Sequence, residues 1–383
     1  MRPLLLFIAL AAELLPAEPG PAKTGMSAGR LARIPARMQA FVEAGTAAGF
    51  VTLVARHGQI ASLAAVGYQD REKRTPMRAD SIFQIMSMSK PITGVGVMIL
   101  VDEGLVALSD PVEKHLPEYR GQPAMTIRDL MTHTSGLPGG TAEALNGERG
   151  KWDYTLAEVV AIEAQRPPAS APGAKWRYSN AGIATLGRII EARSGQPFEK
   201  FMQARIFDPL GMKDTAYFLP PEKKSRLAAV YTDERGSLRR SAADPYRTGA
   251  KYAAPEGGLY STAGDLGNFY QMMLNRGALN GKRILSRAAV EVMTRNHTGE
   301  IPGGFAPGMG YGLTWSVVRA PEGMFRLNSM GAYGHGGAYR TYGWVDPARD
   351  MLGVILLQRT NNGGDMADEI SAFMALAAAA IEE

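Results

Sequence analysis

The spacing of apolar residues changes period twice along the chain. Leu31, Ile34, Met38, Phe41 and Val42 recur at three- and four-residue intervals, which predicts an amphipathic helix with one face on a core. Residues 50–56 and 59–66 are short β-prone runs parted by His57-Gly58, a hairpin signal, and Gly67 then turns the chain out. The sheet is therefore expected to begin antiparallel. From Ser87 to Glu103 a helical period returns through Ile92, Val95, Ile99 and Leu100, with Pro91 still in the first turn, where a missing N–H is tolerated.

Residues 110–249 are rich in helix starts. Thr126 with Asp129 and Thr155 with Glu158 are capping-box patterns, and residues 180–194 read as a further helix. Strand patterning returns late, at 311–317, 325–327, 338–345 and 351–358, in runs broken by Gly, Pro, Asn and Asp, and 365–381 closes as a helix. Strands at both ends around a helical middle argue for an α+β fold. The expected form is an α/β sandwich, its antiparallel sheet flanked by N- and C-terminal helices, with an all-helical region inserted. Residues 25–110 and 250–383 would form the α/β body and 111–249 the mainly helical region, with the active site in the cleft between them.

Composition is that of an ordinary globular protein: 383 residues, 45% hydrophobic and 21% charged. The net charge of +5 is spread over short runs, such as Arg71 to Arg74 and Lys223 to Arg226, without any nucleic-acid-binding motif, so no nucleic-acid partner is expected. Cysteine is absent, which removes thiol nucleophiles and disulfides. Residues 1–24 read either as a secretory signal or as a disordered segment. Arg2, Leu4, Leu5, Phe7, Ile8 and Leu10 resemble its charged and apolar regions, and Gly20-Pro21-Ala22 a cleavage site, but Glu13 interrupts the run. A signal would place the protein in the periplasm or outside the cell, and its absence in the cytoplasm. No other segment approaches the ~20 apolar residues of a membrane span.

Ser87-Met88-Ser89-Lys90 sets a hydroxyl and an amine three positions apart, on one face of a helix. A serine hydroxyl is inert until a neighbour takes its proton, and lysine serves only if desolvation or nearby charge lowers its pKa from ~10.4 toward neutrality. Alone this pattern is weak, since a chain this long holds about one such pair by chance. Its company strengthens it: Tyr178-Ser179-Asn180 and His335-Gly336-Gly337 follow in order. The five histidines lack metal-ligand spacing, and no G-x-S-x-G is present, so neither a zinc hydrolase nor a nucleophile-elbow lipase is indicated, and no metal or cofactor is expected.

With these three motifs the chain resembles the serine β-lactamase and penicillin-binding-protein superfamily, on the class C branch that also holds family VIII carboxylesterases. Met131-Thr132-His133-Thr134-Ser135-Gly136-Leu137, Gly257-Gly258-Leu259-Tyr260-Ser261-Thr262, Tyr311-Gly312-Leu313 and Asp346-Pro347 resemble further segments of that family. The resemblance implies that Ser87 forms an acyl-enzyme, that Lys90 accepts or relays its proton, and that Tyr178 is the partner base as a lysine-perturbed phenol. It implies that Asn180 orients Lys90 and substrate, that His335, Gly336 and Gly337 bind substrate, and that the amides of Ser87 and Ala338 form the oxyanion hole. His133 and its neighbours read as structural, a helix end stopped by Gly136.

Relatives that act on penicillins often carry lysine at the head of the third motif, to receive a carboxylate. Histidine at 335 is mostly neutral at pH 7 and supplies little fixed charge. Arg340 stands nearby but, on strand parity, faces away from His335. The expected activity is that of a serine hydrolase, a carboxylesterase on small or short-chain esters with weak β-lactam hydrolysis. The alternatives are a D-aminopeptidase, DD-peptidase or β-lactamase, and a β-lactam or peptidoglycan sensor that is acylated without turnover. The partner in each case is a small-molecule ester, amide or β-lactam; the oligomeric state is not legible.

Overall fold

A computed structural model describes residues 23–140, 145, 150–234, 236–301, 303–304, 306–360 and 368–383. The expected signal segment lies almost wholly outside these residues, as does the expected start of the last helix at 365. Helix α1 (Arg33–Glu43) buries Ile34, Met38 and Phe41, the stripe its spacing predicts. Strands β1 (Gly49–Arg56) and β2 (Gln59–Asp70) follow as an antiparallel hairpin. His57 and Gly58 have φ of 53° and 70°, the two left-handed residues that let a two-residue turn match the right-handed twist of its strands. β3 (Thr75–Pro76) lies beyond β2 at the sheet edge.

Helix α2 (Ser89–Asp102) is buried at every residue from Ser89 to Leu100, and α3 (Asn180–Ser194) packs on it. Helix α4 (Ala263–Leu274) covers one face of the sheet. The late strands are β4 (Met309–Tyr311), β5 (Ser316–Val318), β6 (Tyr333–Gly336), β7 (Tyr342–Asp346) and β8 (Met351–Leu356), and α5 (Asp368–Ala379) closes the chain. All pairings in the eight-stranded sheet are antiparallel, in the order β4-β5-β6-β7-β8-β1-β2-β3. The two ends of the chain thus meet in mid-sheet, where Leu53 stands opposite Val354.

Side-chain alternation along β1 feeds two cores. Val51 and Leu53 enter a large cluster with Val95 and Ile99 of α2 and Leu266 and Phe269 of α4. Phe50 and Val54 enter a second with Ile34 and Met38 of α1 and Phe373 of α5. Each such side chain contributes about 1.5–3 kcal/mol by leaving water, which favours a sheet covered on both faces. The fold is the α+β sandwich the pattern implied, an antiparallel sheet covered by helices on both faces.

Both expected capping boxes are present. The Thr126 hydroxyl accepts from the Asp129 amide at 3.2 Å while Asp129 accepts from the Thr126 amide at 2.9 Å, and Thr155 with Glu158 repeats this at 3.2 and 2.7 Å. Residues 111–249 also hold a short hairpin of Tyr231–Glu234 with Ser237–Arg240, which departs from an all-helical insertion.

Three strand expectations need correction. Residues 311–317 form no single strand: β4 ends at Tyr311, the Gly312 amide donates to the Trp315 carbonyl at 2.8 Å, and β5 starts at Ser316. Residues 325–327 contain no strand, since Phe325 ends a helical turn, Gly323–Phe325, and buries its ring in the second core. The run at 338–345 becomes strand only at Tyr342, because Gly337 to Arg340 form the turn after β6, closed by an Arg340 amide to Gly337 carbonyl bond of 2.9 Å. β6 itself escapes detection because Gly334 and Gly336 erase its alternation.

Candidate active site

A two-stranded ribbon, Phe83–Gln84 with Tyr260–Ser261, leads the chain into the Ser87 turn. The Ile85 amide donates to the Leu259 carbonyl at 3.0 Å, and Met86 then takes φ 49°. A left-handed methionine is disfavoured by its Cβ and persists only when its surroundings dictate it. Ser89 does so: its hydroxyl donates to the Met86 carbonyl at 2.7 Å and accepts from the Leu259 amide at 3.2 Å. Ser87 lies in the helical turn Met86–Met88, just ahead of α2 instead of within it, and Lys90 falls in the first turn of α2.

Lys90 is fully buried. Its Nζ donates to Ser87 Oγ at 3.0 Å and to the Glu256 carbonyl at 2.6 Å. Burial pushes its pKa down to about 7; Glu256 opposes this and Lys151 adds to it. A hydrogen bond joins the hydroxyls of Tyr178 and Ser87, and Lys90 Nζ stands 4.7 Å from the Tyr178 ring centre. Burial raises the pKa of Tyr178, and Glu256 raises it further. The expected lysine-lowered phenol is therefore not what this environment produces. A neutral phenol and an amine near its titration midpoint flank the serine, and an amine at that distance is within reach to take a hydroxyl proton.

Asn180 opens α3, with its amide donating to the Gly139 carbonyl at 2.9 Å. Its half-buried side chain makes no hydrogen bond to any described residue, so the Glu256 carbonyl, and not Asn180, orients Lys90. His335 is buried at the end of β6. Its Nδ1–H donates to the Gly336 carbonyl at 2.7 Å, which leaves Nε2 bare to accept from the Tyr311 hydroxyl at 3.3 Å. Burial, reinforced by Lys90, pushes its pKa down to about 3, so the ring is neutral.

Gly337 explains the second glycine of the motif. A Cβ there would lie 2.4 Å from the Ile85 carbonyl and 2.2 Å from Thr341 Oγ1, so only glycine lets the β6–β7 turn press against the turn bearing Ser87. Thr341 fastens the contact by donating to the Ile85 carbonyl at 3.1 Å. Gly336, at the end of β6, is half-buried. Ala338 is exposed in the turn, and its amide makes no backbone hydrogen bond to a described residue. Ser87, Lys90, Tyr178 and His335 thus converge, while the Asn180 side chain and the Ala338 amide make none of the hydrogen bonds that join them.

Glu256 carried no sequence signal, and His133 carried only a structural one. Glu256 is buried ahead of the Gly257-Gly258 pair, with Oε1 3.0 Å from Lys151 Nζ and Oε2 accepting from the Tyr252 hydroxyl at 3.0 Å. His133 adopts φ 59° and so makes the left-handed turn after the helix Ile127–Met131, a position expected of Gly136. Its Nδ1 accepts from the Ser179 amide at 3.2 Å, and its ring lies 4.5 and 5.0 Å from those of Tyr178 and Tyr311. Arg340 is engaged elsewhere, its Nη1 3.0 Å from Glu369 Oε2. Among the described residues no group of three or more His, Asp or Glu could hold a metal ion, and no helix is long and apolar enough to cross a membrane.

The sequence profile of the Beta-lactamase family matches residues 34–378. The chain is 31% identical over 348 residues to Esterase EstB of Burkholderia gladioli, covering 82% of this chain and 86% of that protein. It is 29% identical to the D-alanyl-D-alanine-carboxypeptidase/endopeptidase AmpH of Escherichia coli (strain K12), covering 73% and 72%. Among solved structures it is similar to EstCE1, a hydrolase with promiscuous acyltransferase activity, with a TM-score of 0.78 at 23% identity, covering 93% of this chain and 99% of that one. At that identity the last likeness speaks to the fold.

Proposed function

The chain belongs to the β-lactamase family of serine hydrolases, and from that premise we propose that it is a carboxylesterase acting on small, short-chain esters through an acylated Ser87. The neutral amine of Lys90 takes the Ser87 proton as Oγ attacks the ester carbonyl. The amides of Ser87 and Ala338 hold the oxyanion, worth about 3–4 kcal/mol per donor in comparable sites. Tyr178, hydrogen-bonded to Ser87, passes a proton to the leaving alcohol, and the acyl group remains on Oγ. In the second half a water loses its proton to the same amine–phenol pair, attacks the acyl carbon, and releases the acid with Ser87 restored.

The observation that carries the ester preference is the absence of fixed charge at the third motif. His335 is neutral by burial, Arg340, five residues on, is matched to Glu369, and Lys151 is matched to Glu256. A substrate carboxylate beside His335 would meet the rings of Tyr178 and Tyr311. A peptidase or β-lactamase reaction on the same residues is the second reading, favoured by the similarity to AmpH.

The test compares purified protein and its Ser87→Ala variant on p-nitrophenyl esters of increasing chain length, nitrocefin, and D-alanyl peptides. Turnover of short esters well above the other two, abolished by Ser87→Ala, is expected. Retained ester turnover in Ser87→Ala removes the nucleophile assignment. Peptide or nitrocefin turnover exceeding ester turnover replaces the esterase reading with the second one, and a stable penicillin adduct by intact mass without turnover of any substrate replaces it with a sensor.

A further inference from the structure

We propose that Glu256 and Lys151 act as a paired positioning device for Lys90: the main chain of Glu256 seats the amine against Ser87, while its carboxylate and the Lys151 ammonium set, in opposite senses, how readily that amine holds a proton. The inference rests on Lys90 being the base, and it concerns residues outside the three motifs.

The geometry is specific to one residue. Glu256 is 4% exposed, and three of its groups are engaged at once: its carbonyl takes Lys90 Nζ at 2.6 Å, Oε1 takes Lys151 Nζ at 3.0 Å and Oε2 the Tyr252 hydroxyl at 3.0 Å. A carboxylate this deep with neither Lys151 nor Lys90 beside it would bind a proton. Burial does push the Glu256 carboxyl up, but the Lys151 ammonium, a backbone hydrogen bond and Lys90 outweigh it and hold the pKa below the usual carboxylate range. Tyr252, kept neutral by burial and by the adjacent carboxylate, can only donate. Lys151 is the partner that reaches outward, with a side chain 30% exposed and lying 5.2 and 5.5 Å from the rings of Trp152 and Tyr252.

Every other group against Lys90 is uncharged. Ser87 faces it from its own turn, the Tyr178 phenol from the segment before α3, and the neutral rings of His133 and His335 from the end of the helix Ile127–Met131 and from β6. Among the described residues, the charges acting on the amine are therefore Glu256 and Lys151. Removing the negative one leaves Lys151 to repel a proton from Lys90. Removing the positive one leaves Glu256 to attract it.

The measurement is the acidic limb of kcat/KM for p-nitrophenyl butyrate, read at a pH-independent wavelength, in Glu256→Gln, Lys151→Met, Lys151→Arg and the Glu256→Gln/Lys151→Met double variant, with native folding checked by circular dichroism and melting. Glu256→Gln moves the limb to lower pH and Lys151→Met to higher pH, by about half a unit or more each given charges this close. The double variant returns it near wild type and Lys151→Arg leaves it in place. Limbs that do not move, or that move in the same direction, overturn the pairing. Should Glu256→Gln fail to fold, Lys151→Met against Lys151→Arg decides alone. Lys90→Met separates the underlying reading: full ester turnover in that variant removes Lys90 as base and the pairing with it, whereas an inactive Lys90→Met beside unmoved limbs removes only the pairing.

Discussion

Replacing Lys90 by methionine tests whether the buried amine is neutral, by a route independent of activity. In the unfolded chain a lysine keeps its ordinary pKa of 10.5, while burial in the fold pushes it down to about 7. Between those values the unfolded chain binds one proton more than the native state, so the unfolding free energy of the wild type rises with pH by about 1.4 kcal/mol per pH unit. The sign follows from the lowered cation: below pH 7 the fold holds a charged amine at full cost, and the cost disappears as pH rises toward 10.5. Methionine binds no proton. The wild-type minus variant stability should therefore rise by up to about 5 kcal/mol over the whole window, and by about 3 kcal/mol between roughly pH 7 and 9.5, where denaturant melts are practical. The hydrogen bonds to Ser87 Oγ and the Glu256 carbonyl are also lost in the variant, at about 1–3 kcal/mol, but that offset is nearly independent of pH and leaves the slope intact. Urea melts of both proteins, followed by tryptophan fluorescence at half-unit pH steps, give the difference curve. A flat difference across that range would show an ammonium in the fold and refute lysine as resting base.

Tyr178→Phe keeps the ring but removes the hydroxyl bonded to Ser87, so kcat/KM on esters should fall by about 10²–10⁴ with stability little changed; a loss within threefold would remove tyrosine from proton transfer. Gly337→Ala forces a Cβ against the Ile85 carbonyl and should lower kcat at least about tenfold and lower the melting temperature together, as steady-state kinetics and thermal melts can check. Gly187→Ala acts from a distance: its Cβ would lie 2.2 Å from Pro255 Cγ, displacing the segment that presents the Glu256 carbonyl, so the ester kcat should drop although α3 gains a better helix former. Glu369→Gln leaves Arg340 and Arg359 facing a neutral partner and should cost about 3 kcal/mol in denaturant melts, with kcat nearly unchanged.

How much was legible depended on whether the signal was local. The hairpin at His57-Gly58, the capping boxes at Thr126 and Thr155, the apolar stripe of α1 and the helix at 180–194 are statements about neighbours in sequence, and all are present. β6 was not, because Gly334 and Gly336 carry no alternation, and Phe325 misled because an aromatic buried in a helical turn resembles one in a strand.

The sequence by itself supplied the candidate groups of the site: a hydroxyl and an amine one helical turn apart, a phenol, and a histidine followed by two glycines, in an order that chance does not supply. Tertiary structure alone decided their states. Lys90 is near neutral and Tyr178 a protonated phenol because both are removed from water, and Asn180 gave up its expected hold on Lys90 to the carbonyl of Glu256, far along the chain. Residue identity sets a group's ordinary pKa, but desolvation and the nearest charges set the actual one, and those come from segments such as Lys151 and Glu256 that only the fold brings together.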